Sequence, residues 1–142
     1  MTGSAQRWKR ILAIRSVQRQ MAEAQFFRCE AELRNLVDLG GRIAAIRDAA
    51  QPFAGTHDGL MLRSICELSS RLDSAQVALA NPSQSASEAR DRQQRAVIAA
   101  KQRETAVEKL EVSISRQETK DAVDRQNRTS IFRQANKMGA VT

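Results

Sequence analysis

Three kinds of side chain here could carry chemistry: one histidine, two cysteines and an uneven set of cations. His57 stands in the polar run Gly55-Thr56-His57-Asp58-Gly59, where a catalytic base or a phosphate loop could be lodged. The spacing matches no P-loop, and no nucleophile or second histidine is placed to pair with it. The run reads instead as the turn of a hairpin, opened by Pro52. Cys29 and Cys66 have no CxxC spacing and no third sulfur, so two reduced thiols in a cytosolic protein are the simplest account. Without a convergent polar constellation the chain does not read as an enzyme. No catalytic residue, metal ligand, cofactor or small-molecule substrate is expected.

The cations remain. The formal net charge is +7 and the pI about 10.4. Residues 1–51 hold 9 basic and 5 acidic side chains, residues 52–82 hold 2 and 3, and residues 83–142 hold 12 and 8. The extremes lie at the ends. Arg7, Lys9, Arg10, Arg15 and Arg19 precede the first acid, Glu23, and Arg125, Arg128, Arg133 and Lys137 follow the last, Asp124.

The elements that must position these charges are helices. Between Ser83 and Met138 there is no proline and no glycine, and alanine, glutamine, arginine and glutamate dominate. At 1.5 Å per residue such a run makes a helix of roughly 84 Å, which must lean on a long partner. Aromatics are only 4% of residues and much of the apolar fraction is alanine, so a thin seam is all this chain can bury. The expected fold is all-α: an elongated antiparallel α-helical coiled coil, a helical hairpin with a shorter middle helix near its tip, in a single domain spanning 1–142.

Helix one is expected over 4–50, with Ser4 as N-cap. Ile14, Val17, Met21, Ala24 and Ala31 make one apolar stripe, and Leu36, Leu39, Ile43, Ile46 and Ala50 another, displaced by one residue. Phe26, Cys29 and Leu33 bridge them, which predicts a coiled coil with a stutter. Gly40-Gly41 inside the second stripe implies a bend, a close helix crossing or a hinge. A middle helix is expected over 58–80 on Leu62, Ile65, Leu68, Leu72, Ala75 and Leu79. Asn81-Pro82 then interrupts or kinks the chain, and the capping box Ser85-x-x-Glu88 restarts it as a C-terminal helix over 84–138. Val97, Ala100, Val107, Leu110 and Ile114 keep the seam there. Gln117, Asp121, Asp124 and Arg128 turn it polar before Ile131, Ala135 and Met138 resume. Seven acid-first i,i+4 pairs, among them Glu30→Arg34, Asp38→Arg42 and Glu67→Arg71, suit a helix wetted on most sides. Antiparallel packing predicts that the nine terminal cations converge into one basic pole, with an apolar region by the turn.

This layout resembles the FliJ family, the coiled-coil stalk proteins of the flagellar type III export apparatus, and its injectisome counterparts. The resemblance covers nearly the whole chain. It is carried by Cys29-Glu-Ala-Glu-Leu33-x-x-Leu36-Val-Asp38 and by the tail Arg116-Gln-Glu-Thr-Lys-Asp121-Ala-Val-Asp-Arg-Gln, similar to the family's C-terminal segment. Asn81-Pro82 departs from the family's unbroken second helix. The resemblance implies a stalk coupling a hexameric export ATPase to a transmembrane export gate, with export chaperones as further partners. It implies a role in flagellum assembly, protein transport and chemotaxis, and a cytoplasmic protein peripheral to the cell membrane. The ATPase would take the pole of Arg7, Lys9, Arg10, Arg15, Arg19, Arg125, Arg128, Arg133 and Lys137. The gate would take Leu36, Leu39, Ile43, Leu68, Leu72 and Ala75, residues that equally suit seam packing.

A nucleic-acid-binding helical protein and a basic scaffold or adaptor are the rival classes. Against nucleic acid, aromatics for stacking are scarce and the arginines are spread in i,i+4 pairs. No uncharged apolar run reaches the 18 or so residues of a membrane span. The acid-free N-terminus resembles a presequence, but its helical pattern runs on without a cleavage-like break.

Overall fold

The computed structural model describes residues 3–50 and 58–140. Two helices account for them: α1, Gly3–Ala50, and α2, Gly59–Gly139. They pack against each other as an all-α helical hairpin, with no strand among the described residues. The expected turn at Pro52 to His57 lies outside the described residues. Asp58 caps the next helix: its carboxylate accepts from the Gly59 N–H at 3.0 Å and its carbonyl from Met61 and Leu62. The Gly59 and Met61 bonds satisfy two of the orphan donors of the first turn, and the Leu62 bond is the first regular bond of the helix.

The chain divides into two compact units. Unit 1 joins residues 1–19 to residues 100–142, and unit 2 is Gln20–Ala99. In each, a stretch of α1 lies antiparallel to a stretch of α2. Ion pairs fix this: Arg19 to Glu104 in unit 1 and Arg47 to Asp73 in unit 2.

The burial pattern corrects the expected seam. On α1 a series of half-buried residues steps by three and four: Ala5, Trp8, Leu12, Arg15, Arg19, Ala22, Phe26, Cys29, Leu33, Leu36, Gly40, Ile43, Arg47 and Ala50, flanked by Ile11, Ser16, Glu23, Glu30 and Ala44. This is a heptad repeat with no stutter. The first expected stripe faces water, with Ile14 58%, Val17 49% and Met21 64% exposed. Leu39 and Ile46 of the second are exposed as well. On α2 the matching series runs Ile65, Ser69, Leu72, Leu79, Ser83, Ala86, Arg90, Gln93, Val97, Ala100, Glu104, Val107, Glu111, Ile114 and Glu118. Leu110 lies outside it and is exposed. Among the described residues only Val107 is buried, and it keeps 9% of its surface exposed. The seam is one side chain thick, and most of its members keep an edge in water.

The separate middle helix over 58–80 does not form. Pro82 sits inside α2, which runs on without a break, and Ser85 and Glu88 are mid-helix residues rather than a cap. A proline there forfeits the bond to the Ala78 carbonyl and crowds it, at about 3 kcal/mol. The heptads on either side, Leu72 and Leu79 before and Ala86 after, keep their phase, so packing outweighs that local loss.

Gly40-Gly41 leaves α1 equally unbroken, and a Cβ built on either would meet nothing within 4 Å. The close helix crossing is therefore ruled out at both. With helical φ and open space, alanine adds helix propensity without a clash, about 1 kcal/mol at each position. Gly40→Ala with Gly41→Ala is expected to raise the thermal midpoint of the hairpin by roughly 4–8 °C. A melt unchanged or lowered in the double variant would mean that the glycines serve a bend absent from this structure.

Candidate interaction surfaces

The nine cations of the expected pole all belong to unit 1, but they are not brought together. The Arg19 guanidinium donates its Nε–H to the Glu104 carboxylate at 2.5 Å. Counting one heptad back on each helix from that pair carries Leu12 to the turn of Glu111, with which it borders one shallow groove, and one more carries Ala5 to the turn of Glu118. The described part of α1 therefore ends opposite the turn around Lys120. Every described residue of α2 beyond Glu118 is exposed. Arg125, Arg128, Arg133 and Lys137 thus lie along a single helix with no described residue of α1 beside them. The convergence expected from the sequence assumed helices of equal reach, whereas α1 has 48 residues and α2 has 81.

The other five cations split further. Arg7, Lys9 and Arg10 are exposed, whereas Arg15 and Arg19 are half-buried seam residues. Long aliphatic stems let arginine fill a heptad position while its head reaches water or a carboxylate. Arg15 turns its head to the Gln18 side chain, 3.0 Å away. Beyond Glu118 the polar residues through Arg128 are exposed, and Ile131, Ala135 and Met138 are exposed as well and do not resume a seam.

Charge nonetheless separates cleanly between the units. Unit 1 contains fourteen basic and six acidic side chains, a balance of +8, and unit 2 nine and ten, a balance of −1. All of the chain's net positive charge is carried by unit 1. Ion pairs do little to hide it. Of the seven i,i+4 pairs read from the sequence, Glu30–Arg34 at 3.9 Å and Glu67–Arg71 at 2.8 Å close, and both are in unit 2.

The six apolar residues matched to an export gate lie in unit 2 and divide between two roles. Leu36, Ile43 and Leu72 are half-buried heptad residues, and Ala75 is half-buried beside them. Leu39 and Leu68 face out, 44% and 43% exposed. Leu68 borders a shallow, almost wholly apolar groove with Ala50, Met61, Ser64 and Ile65. Leu60, 79% exposed, stands next to Met61. Any docking surface here is built on Leu60, Met61 and Leu68, two of which sequence spacing did not single out. An apolar run at a helix start, ahead of its first seam residue Ile65, was the available signal.

His57 lies outside the described residues. Cys29 is half-buried and Cys66 exposed, both as free thiols. Among the described residues no cluster of histidine, cysteine or carboxylate could hold a metal ion. No described helix is long and apolar enough to cross a membrane. Comparison with family models, curated proteins and solved structures found no match.

Proposed function

We propose that this chain is a non-enzymatic coiled-coil stalk of a type III protein export apparatus, of the FliJ kind, binding a hexameric export ATPase through unit 1 and a membrane export gate through unit 2. The observation that carries this reading is the concentration of charge: +8 in unit 1 against −1 in unit 2, on a hairpin whose seam is too thin to hold a pocket. A cationic coiled coil with one helix running past its partner suits insertion into an acidic channel, where complementary charge steers association. Two separated surfaces of unlike chemistry, one basic and one apolar, suit a part that links two partners.

The test reverses Arg7, Arg10, Arg128 and Arg133 to glutamate and measures association with the export ATPase hexamer. These side chains are exposed and do not converge, so the change should leave the melting curve nearly where it was. ATPase association should be lost, and the parent's should fade as salt screens the field beyond about 10 Å. Association that survives all four reversals at low salt would overturn the assignment of unit 1.

A further inference from the structure

The last turns of α2 collect Ile131, Phe132, Ala135 and Met138 on one side of the helix. At 100° per residue they span an arc of about 120°, and the polar residues Ser130, Arg133, Gln134, Asn136 and Lys137 fill the rest. Ile131 is 64%, Phe132 73% and Met138 80% exposed, and no described residue covers them. From Arg125 to Ala140 there are four cations and no acid.

The occupant of this face has to suit both its grease and its charge. A second copy of the segment would set four cations against four. Nucleic acid would find one aromatic ring to stack on and would leave Ile131 and Met138 in water. A bilayer with anionic headgroups meets both demands. Its acyl boundary takes the apolar arc, its phosphates take the cations, and long basic side chains reach sideways to them.

We propose that residues 130–138 of α2 form an amphipathic interfacial helix that lies on anionic membrane surfaces, with Arg128, which falls on the same side one turn earlier, reaching up to the headgroups. This goes beyond the stalk reading, in which the membrane is reached through a gate protein by unit 2, and does not depend on it; because both contacts use Arg128 and Arg133, they exclude each other at any one time. Three large apolar side chains make a reversible contact. Each cation near an anionic surface multiplies partitioning about fivefold.

Flotation of the full chain with phosphatidylcholine vesicles, with and without phosphatidylglycerol, tests this. Binding is expected only with the anionic lipid. Arg128→Gln with Arg133→Gln and Lys137→Gln should lower partitioning about 100-fold. Ile131→Ser with Phe132→Ser leaves every charge in place and should lower it about 10-fold or more. As a direct reporter, Phe132→Trp in a Trp8→Phe background should shift its emission to the blue on anionic vesicles. The five changed positions of α2 are exposed, and Trp8→Phe keeps an aromatic ring at its half-buried seam position, so circular dichroism of each variant should match the parent. Equal binding to neutral vesicles would overturn the proposal. So would anionic binding that the serine variant retains in full, since that is adhesion of the whole basic unit. No binding to either vesicle would overturn it in favour of an acidic protein groove. No ATPase enters these assays, so failure here and failure of the stalk reading are told apart.

Discussion

Leu72→Asp is expected to unpair the helices of unit 2, while Leu68→Asp leaves them paired. The two leucines are one helical turn apart and chemically identical, yet Leu72 continues the heptad series of Ile65 and Leu79 and Leu68 does not. Aspartate at 72 removes an apolar side chain from a seam one layer thick. It also sets a second carboxylate beside Asp73, whose partner Arg47 is already engaged at 2.8 Å, for a combined cost of about 2–4 kcal/mol. A hairpin with one buried described residue has little reserve against that. Aspartate at 68 stays in water, and its effect should lie within about 0.5 kcal/mol. Thermal melts followed by circular dichroism separate the cases. If both variants melt with the parent, Leu72 is not a seam residue in solution. The exposed position then becomes a clean probe: on the stalk reading, Leu68→Asp loses gate binding with the fold intact.

That pair of leucines also shows why the sequence could be read for fold but not for site. An all-helical hairpin follows from composition, since a chain poor in aromatics and rich in alanine and arginine can bury only a narrow stripe. Choosing the stripe is harder. α1 carries two apolar series at heptad-like spacing. One contains Ile14, Val17 and Met21, the other Trp8, Leu12, Ala22 and Phe26, interrupted by Arg15 and Arg19. Hydrophobicity alone favours the uninterrupted series, but the structure buries the interrupted one. Arginine stems pack in the seam, and a carboxylate on the facing helix receives one of the heads. Pro82 was misread for a related reason. Its cost is local and about 3 kcal/mol, whereas the heptads that carry α2 past it draw on packing along the helix. Helix register was not legible at all, because it depends on which residues stand level across the seam. The expected basic pole fell with it.

The register has its own device in unit 1, and removing it should change the molecule in two distinct ways. Arg19 and Glu104 occupy heptad positions on opposite helices, with side chains only 27% and 16% exposed. Arg19→Leu alone takes the guanidinium from a largely desolvated carboxylate, and Glu104→Leu alone takes that carboxylate from Arg19. Either should cost about 1–2 kcal/mol, less than a fully buried pair because both side chains keep some water. Arg19→Leu with Glu104→Leu together should be neutral or stabilising, since leucine at both positions makes an ordinary apolar layer. What the double change loses is specificity. A charged pair in a seam is satisfied in one register only, whereas apolar layers tolerate a heptad slip. Cysteines report this once Cys29 and Cys66 are replaced by serine. Leu12→Cys should form a disulfide with Glu111→Cys in the parent and not with Glu118→Cys, one heptad away. In the leucine double variant both pairs should cross-link. A double variant as stable as the parent that still cross-links only 12 to 111 would show that the register is set elsewhere in the seam, and that the ion pair merely occupies it.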